Sequence, residues 1–275
     1  MHLFLGIDGG GTGCRAAVAD AAGVVLGRAE SGPANIASDL AGAAANILKA
    51  AGAAIAAAGG GEVVAAGLGL AGANAAGAVD QLRGVLPFRR VAVVTDGITA
   101  VKGALGAADG VVAALGTGSV FAVQRGGAIR QIGGHGLVLG DEASGAWIGR
   151  ALVAAALRAV DGFAPQTLLL NALLKELGGP EGAVAFSLTA RPADFATLAP
   201  RVVDSGDLAA RAIMARAEGD VAEAVALLRD GDNLPVVFLG GLGTVFANRM
   251  AARFPVRPAR GTALDGALML AREAA

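Results

Sequence analysis

The sequence is poor in metal and disulfide ligands, since it has one cysteine, Cys14, and two histidines, His2 and His135, in 275 residues. One cysteine cannot form an intrachain disulfide, and without a recognisable signal peptide this favours a cytoplasmic protein. So few soft ligands exclude a multi-ligand His/Cys metal site, although a carboxylate-based Mg²⁺ site stays open.

The chain also lacks an excess of charge of one sign and a long uninterrupted apolar run. Its net charge of −1 argues against a nucleic-acid partner. Hydrophobic residues make up 55% of it, but Lys49, Asn74, Lys102 and Asp109 interrupt the apolar stretches. A spanning helix needs about 20 apolar residues in succession, so no membrane partner is predicted.

The most informative segment is the opening run from Leu3 to Thr12, LFLGIDGGGT. Its apolar residues predict a buried strand that ends at Asp8. The three glycines that follow, Gly9, Gly10 and Gly11, allow a sharp turn and bring backbone N–H groups close to a ligand. Phosphate oxygens suit such a nest, and Asp8 is placed to orient Mg²⁺ or a bound water.

The same pattern recurs 105 residues later, where Gly116-Thr117-Gly118-Ser119 follows the apolar run Val112 to Leu115. In each copy a second strand, a hairpin break and a third strand come next. The chain is therefore predicted to be a duplicated half with one phosphate loop in each copy.

Two other phosphate motifs do not fit. A Walker A loop ends in Lys-Ser or Lys-Thr, and the run from Gly9 to Cys14 has neither. The run from Gly67 to Gly72 matches the dinucleotide spacing, but a glycine match alone is a weak signal. The alternative is a strand that ends in a loop.

The predicted architecture is α/β, with two lobes that each hold a mixed sheet flanked by helices and with a ligand cleft between them. The predicted domains are residues 1–109 and 110–275. It stays open whether the last helix, from Ala263 to Arg272, packs back on the first lobe. Other predicted helices include Ile36 to Ala58 and Asn74 to Val85, the second with Asn74 as its cap.

Several motifs occur in an order that resembles the actin-like ATPase superfamily. Within it the chain is similar to the BadF/BadG/BcrA/BcrD-type ATPase family, in its N-acetylglucosamine and glucosamine kinase branch. The matching motifs cover nearly the whole chain: Gly6 to Thr12 with Cys14-Arg15, Ser31 to Ile36, Thr95-Asp96-Gly97, Gly116 to Ser119, Gly140 to Gly149, Gly240-Gly241 and Asp265 to Met269.

The resemblance implies ATP and Mg²⁺ as cofactors and assigns the loops. The nucleotide would be held by Gly9, Gly10, Gly11 and Thr12, by Gly116, Thr117, Gly118 and Ser119, and by Gly240 and Gly241. Asp8 would lie near the Mg²⁺.

The resemblance also implies a general base and a set of sugar contacts. Asp96 matches the base that accepts the hydroxyl proton of the sugar, and Asn35 and Asp141 match sugar-contacting positions, with Glu142 beside them. Simpler roles stay open: backbone pairing at a turn for Asp8, a helix cap for Asp96 or Asn35, and a turn or cap for Asp141.

The predicted function is an ATP-dependent amino-sugar kinase that phosphorylates the 6-hydroxyl of glucosamine. The alternatives are an N-acetylglucosamine kinase of the same family and a non-catalytic sugar or nucleotide sensor, although a sensor needs no general base. A related iron–sulfur activator needs two cysteines per subunit, which this chain cannot supply. The expected partner is a small amino sugar, and the resemblance alone suggests a homodimer.

Overall fold

The computed structural model describes residues 1–275, which fold into two compact units. One unit consists of Met1–Ala108 together with Ala259–Ala275, and the other consists of Asp109–Pro258. The last 17 residues, 259–275, therefore belong with the first unit, whereas the sequence prediction grouped them with residues 110–258 and left the packing of the last helix open.

The first unit is a five-stranded mixed sheet in the order β3-β2-β1-β4-β5. Strands β1, β2 and β3 form antiparallel hairpins, and β4 and β5 add in parallel on the other side of β1. Its elements in chain order are β1 His2–Gly9, β2 Cys14–Ala19, β3 Val25–Ser31, α1 Leu40–Ala57, β4 Glu62–Leu70, α2 Ala78–Val85, β5 Val91–Val94 and α3 Asp96–Leu105.

The second unit repeats the hairpin pattern in a four-stranded sheet with the order β8-β7-β6-β9. Strand β9 is parallel to β6, whereas β6, β7 and β8 are antiparallel. The elements are β6 Gly110–Leu115, β7 Ser119–Arg125, β8 Ala128–Gly133, α4 Gly145–Val160, α5 Leu168–Leu177, α6 Gly179–Thr189, α7 Pro192–Ala196, α8 Ala199–Val203, α9 Leu208–Arg229, β9 Val236–Leu239 and α10 Gly243–Met250.

The predicted hairpins and strands of both halves are present, but two helices begin later than predicted. Helix α1 begins at Leu40 because Asp39 accepts a hydrogen bond from the Gly42 N–H at 2.9 Å and caps it. Helix α2 begins at Ala78, and Gly77, not Asn74, is its N-cap. The motif from Gly67 to Gly72 lies mostly within β4, so it is a strand and not a dinucleotide loop.

Helix α1 is long and apolar enough to cross a membrane by length and composition, with a mean hydropathy of 1.5. In the structure one face of it is buried in the core of the first unit, through residues such as Ile47, Ala50 and Ala54. Gly27 of β3 lets the two backbones approach closely, since a Cβ there would lie 2.1 Å from the Ala54 carbonyl oxygen.

The last helix, α11 Ala263–Glu273, packs on the sheet and on α3 of the first unit. Thr262 and Asp265 form a capping box at its start. Close backbone approach requires glycines: a Cβ on Gly67 of β4 would lie 2.2 Å from the Ala267 carbonyl oxygen, and one on Gly266 would lie 1.9 Å from that of Thr99 in α3. These glycines fix α3, and with it Asp96, against α11.

Candidate functional site

The first predicted phosphate loop lies between β1 and β2 as a tight turn. The Gly10 N–H donates to the Gly13 carbonyl at 2.9 Å, and the Gly10 carbonyl accepts from Ala34 N–H at 2.8 Å. Residues from β1, β2 and β3 surround a pocket of about 280 Å³ beside this turn, which Asp8, Gly10, Thr12, Gly13, Cys14, Arg15, Glu30 and Ser31 line.

The glycines of this loop fall into two groups. A Cβ on Gly9 would lie 2.7 Å from Leu70 and 2.9 Å from Ala34, so the packing of the first unit requires glycine there. A Cβ on Gly10 or Gly11 would meet nothing within 4 Å, and neither residue has a positive φ. The fold therefore does not require glycine at Gly10 or Gly11. The absence of a side chain at these residues leaves the loop backbone open to a ligand from outside.

The Asp8 carboxylate lies at the end of β1 and has few interactions with the rest of the protein. It accepts no hydrogen bond within the protein, and its nearest cation is Arg15, whose Nη1 lies 3.7 Å away. Burial raises the pKa of Asp8, with a smaller lowering from Arg15 and a further raising from the Asp96 charge. Asp8 and Asp96 are thus close enough for their charges to interact.

Asp96 is the first residue of α3, and Thr95 occupies the N-cap position without a side-chain capping bond. The Asp96 side chain is exposed, and its Oδ1 accepts only from the N–H of the adjacent Gly97, at 2.9 Å. Thr95 Oγ1, one residue earlier, is buried without a hydrogen-bond partner. A buried hydroxyl without a partner is costly unless a ligand or water satisfies it.

Asn35 lies beside the first loop, because its neighbour Ala34 donates to Gly10. Its Oδ1 accepts from the N–H groups of Ala37 at 3.0 Å and Ser38 at 3.3 Å. Asn35 therefore organises a local turn and does not cap α1. Its side-chain nitrogen has no partner within the protein, which leaves two donors for a ligand.

In the second unit the residues from Gly116 to Ser119 form the turn between β6 and β7. The Gly116 N–H donates to Gly118 O at 2.9 Å and closes the turn. A Cβ on Gly116 would meet nothing within 4 Å, as at Gly10 and Gly11. Thr117 is exposed, whereas Ser119 is buried, with 5% of its surface accessible.

Asp141 and Glu142 lie in a turn that packs on this loop. Asp141 is 8% exposed, and its Oδ1 accepts from Gly136 N–H at 3.1 Å. Glu142 has an exposed side chain, and its backbone carbonyl accepts from Ser119 Oγ at 2.8 Å. Ser144, and not Asp141, caps α4 by accepting from the Trp147 N–H at 3.1 Å.

This turn carries two of the three non-glycine residues with positive φ in the chain, Asp141 at 57° and Ala143 at 63°. Backbone in this region costs energy for residues with a Cβ, and such strain concentrates at binding and catalytic sites. The hydrogen bonds of Asp141 and Glu142 hold the strained turn in place.

Gly240 and Gly241 follow β9, which lies beside β6, so that this turn adjoins the second loop. Gly240 has a φ of 86°, and a Cβ on it would lie 2.4 Å from the Leu115 carbonyl oxygen. Gly240 is therefore required by the fold, whereas a Cβ on Gly241 would meet nothing within 4 Å. The N–H of Leu242 donates to the same Leu115 carbonyl at 3.0 Å and fixes the turn.

The structure thus groups Asp8, the first loop, Asn35 and Asp96 in the first unit. It groups the second loop, Asp141, Glu142 and the Gly240–Gly241 turn in the second unit. Sequence reasoning missed the buried hydroxyl of Thr95 and the Asp220 carboxylate of α9. Burial raises the pKa of Asp220, and the Glu142 charge raises it further. No sequence motif marks either residue.

No cluster of three or more His, Cys, Asp or Glu side chains in residues 1–275 could hold a metal ion. A divalent cation at Asp8 would therefore take most of its ligands from phosphate oxygens and water, which is the usual state of Mg²⁺ in nucleotide sites. The half-buried Asp8 carboxylate fits that role because the protein leaves its oxygens without hydrogen bonds. Burial raises the pKa of the Cys14 thiol to about 11, so this residue is not a nucleophile at neutral pH.

The family assignment rests on a match to the sequence profile of the BadF/BadG/BcrA/BcrD ATPase family over residues 5–251. The chain belongs to this family. The BadF/BadG/BcrA/BcrD resemblance deduced from the motifs is therefore confirmed, and with it the expectation of an ATPase fold.

Two relatives that match nearly the whole chain are named as sugar kinases. Glucosamine kinase GspK of Vibrio cholerae is 29% identical over 98% of this chain and 96% of its own. A proposed N-acetylglucosamine kinase from Chromobacterium violaceum has a solved structure that is 34% identical, with a TM-score of 0.82 and 98% of each chain covered.

A more distant structure supports the fold alone. The ROK family glucokinase of Streptomyces griseus, solved with glucose and AMPPNP, is 20% identical, with a TM-score of 0.57 and 99% of each chain covered. Together with the mixed sheets and their flanking helices, this likeness confirms the predicted α/β fold class.

Proposed function

We propose that the chain is an ATP-dependent kinase that transfers the γ-phosphoryl group of ATP to the 6-hydroxyl of glucosamine. Family membership supports ATP use, and the two full-length relatives support an amino sugar as the acceptor. A free carboxylate favours a cationic amine, and Glu142 offers one with an exposed side chain. N-acetylglucosamine is the second candidate because the Chromobacterium violaceum relative, at 34% identity, is described as its kinase.

The observation that carries the proposal is that four glycines with no packing or backbone role in the fold lie in the turns assigned to the nucleotide. The other glycines of this kind lie within helices or just before one, and they are Gly52, Gly84, Gly206 and Gly219. Gly10, Gly11, Gly116 and Gly241 each have open space where a Cβ would lie. A polyphosphate that comes close to the loop backbone gives a reason for glycine at such positions. The N–H groups of Gly10 and Gly116 are used within their own turns, so the other amides of these turns would bind the phosphate oxygens.

The proposed mechanism divides the work among these side chains. Backbone N–H groups of the two loops hold the phosphates, and Asp8 orients Mg²⁺, which neutralises phosphate charge when bound. Asp96 accepts the proton of the sugar hydroxyl. At the same time the hydroxyl oxygen bonds to the γ-phosphorus, and the bond between the γ-phosphorus and the ADP oxygen breaks. For the sugar, the unpaired Asn35 amide is the candidate donor of the first unit, and the turn at Asp141 and Glu142 is the candidate contact of the second unit.

A glycine substitution tests the nucleotide part of this proposal in a coupled ADP-release assay. Gly11→Ala adds a methyl group into open space, so it should fold like the wild type. We expect the KM for Mg-ATP to rise about 10- to 100-fold, because the methyl group would keep a phosphate oxygen away from the loop amides. The loss of one hydrogen bond to a charged group costs about 1.5–3 kcal/mol.

Gly52→Ala is the matched control, because its added Cβ also meets nothing within 4 Å, but on the exposed face of α1. Its KM for Mg-ATP should equal that of the wild type. An unchanged KM in Gly11→Ala would show that the first loop does not hold the nucleotide.

A further inference from the structure

We propose that Ser119 is a positioning residue that couples nucleotide binding to amino-sugar binding within the second unit. Through its bond to the Glu142 carbonyl, the second phosphate loop and the turn from Gly140 to Ala143 would move as one body. This inference rests on the proposed kinase function. It adds that nucleotide and amino sugar bind cooperatively, so that each ligand raises the affinity for the other.

The Ser119 hydroxyl faces the turn and is committed to it. Ser119 is 5% exposed, and its Oγ donates to the Glu142 carbonyl oxygen at 2.8 Å. The proton of this hydroxyl is therefore unavailable to a phosphate oxygen as long as the bond is intact. The last residue of the predicted phosphate loop thus points to the candidate sugar turn, across 23 residues of sequence.

A second contact joins the same two segments one residue away on each side. A Cβ on Gly118 would lie 2.7 Å from Asp141 Oδ2, so the loop backbone and the Asp141 carboxylate are in close contact. The other oxygen of that carboxylate, Oδ1, accepts from Gly136 N–H at 3.1 Å. Asp141 is thus held between the phosphate loop and the segment that precedes the turn.

The start of α4 completes the connection. The N–H groups of Gly145 and Ala146 donate to the carbonyls of Gly116 and Thr117, at 2.8 and 3.2 Å. The first amides of α4 are therefore used by the loop and are not free to bind an anion. Loop, turn and helix start form one hydrogen-bonded assembly around a strained backbone.

Such an assembly predicts reciprocal coupling. A nucleotide that orders the loop also orders the turn, so less conformational entropy is lost when the sugar binds. By the same linkage, a bound sugar strengthens nucleotide binding by the same factor. A single neutral hydrogen bond is worth about 0.5–1.5 kcal/mol, so its loss should reduce the coupling roughly two- to tenfold.

The measurement is a fluorescence titration of the full chain, because Trp147 is the single tryptophan and there is no tyrosine. Trp147 lies in the first turn of α4, and its ring stacks under the Arg216 guanidinium at 5.1 Å. The Kd of the Mg²⁺ complex of a non-hydrolysable ATP analogue is measured without and with saturating glucosamine, and the ratio of the two values is the coupling.

The variants are Ser119→Ala, which removes the bond, and Ser119→Thr, which retains the hydroxyl. Ser187→Ala is the matched control, because Ser187 Oγ also donates to a backbone carbonyl at 2.8 Å, that of Val184, within the exposed helix α6. We expect the coupling to fall two- to tenfold in Ser119→Ala only, by more than the change in either separate affinity, and to recover in Ser119→Thr.

Two results would overturn the inference: a wild-type ratio of one, or a Ser119→Ala ratio equal to that of the wild type. Should Ser119→Ala fail to fold, hydrogen exchange on the wild type decides. The nucleotide analogue alone must then slow exchange at the amides of the turn from Gly140 to Ala143, which Ser119 joins to the loop, and no slowing there contradicts the inference. A wild type that binds the nucleotide but no amino sugar would instead refute the proposed function itself.

Discussion

At the scale of single residues, the proposed phosphoryl transfer depends most on Asp96. Its exposed carboxylate accepts only from the adjacent Gly97 N–H, so little of the fold depends on its charge. We expect Asp96→Asn to lower kcat about 10²- to 10⁴-fold, the usual contribution of a general base, with the thermal midpoint nearly unchanged.

Asp80→Asn is the control for Asp96→Asn. Asp80 is also an exposed carboxylate in the first turn of a helix of the first unit, where it pairs with Arg83 at 3.6 Å. Its kcat should match the wild type. Near-normal turnover in Asp96→Asn would remove Asp96 from the role of base.

Substitution of Asp8 should raise the stability of the protein while it lowers the activity. Its pKa is raised in the folded state, chiefly by burial, so the ionised form is disfavoured on folding. The folded protein therefore loses stability as the pH rises from the ordinary Asp value through this raised pKa. Asp8→Asn removes that loss but also removes the proposed Mg²⁺ ligand.

We accordingly expect Asp8→Asn to unfold at a higher urea concentration than the wild type at pH 7, and to be far less active with Mg-ATP. The difference in stability should shrink as the pH falls toward the ordinary Asp value of 3.8. Glu30→Gln, which alters an exposed carboxylate on the same Arg15, should change stability at neither pH. A variant less stable than the wild type at pH 7 would contradict this account.

At the scale of elements, the contact between α3 and α11 should control the position of Asp96. A Cβ on Gly266 would lie 1.9 Å from Thr99 O and 2.6 Å from Gly103 N, both in α3. Gly266→Ala should therefore lower the free energy of unfolding by about 1–3 kcal/mol or more, since this is the usual cost of overpacking. It should also lower kcat, because a small displacement of a catalytic group is expensive.

Gly52→Ala makes the same chemical change in the open and should raise the free energy of unfolding by about 0.5–1 kcal/mol. Urea denaturation of both variants checks the pair. Equal effects of the two substitutions would show that the helices do not depend on this glycine contact.

The elements themselves were largely predictable, because hairpin breaks and alternating apolar runs are local signals. The starts of α1 and α2 were not, since Asn35 and Asn74 are both good cap residues by type. In the structure Asn35 instead closes a turn that is tied to the first loop, and Ala71 donates to the Gly9 carbonyl in the segment before Asn74. Tertiary hydrogen bonds decided between local alternatives of similar energy.

At the scale of the whole molecule, the sequence predicted two α/β units, grouped the end of the chain with the second and left open whether the last helix packs on the first. The segment 259–275 joins the first unit because glycines of β1, β4 and α3 give α11 a surface that it can approach. That complementarity exists only in three dimensions and has no local pattern. The bond between Ser119 and Glu142 was unpredictable for the same reason, and the homodimer stays a prediction.

Phosphoryl transfer to an amino sugar would leave a new phosphorus compound in solution, which ³¹P NMR of a reaction mixture detects. The wild type is incubated with Mg-ATP and, separately, with glucosamine, N-acetylglucosamine, N-acetylmannosamine or glucose, beside Asp96→Asn. We predict one new phosphomonoester with glucosamine, coupled to two methylene protons as a 6-phosphate requires, and formed in equal amount with ADP. No sugar phosphate from any of the four, in a protein that binds ATP, would contradict the account and favour a sensor.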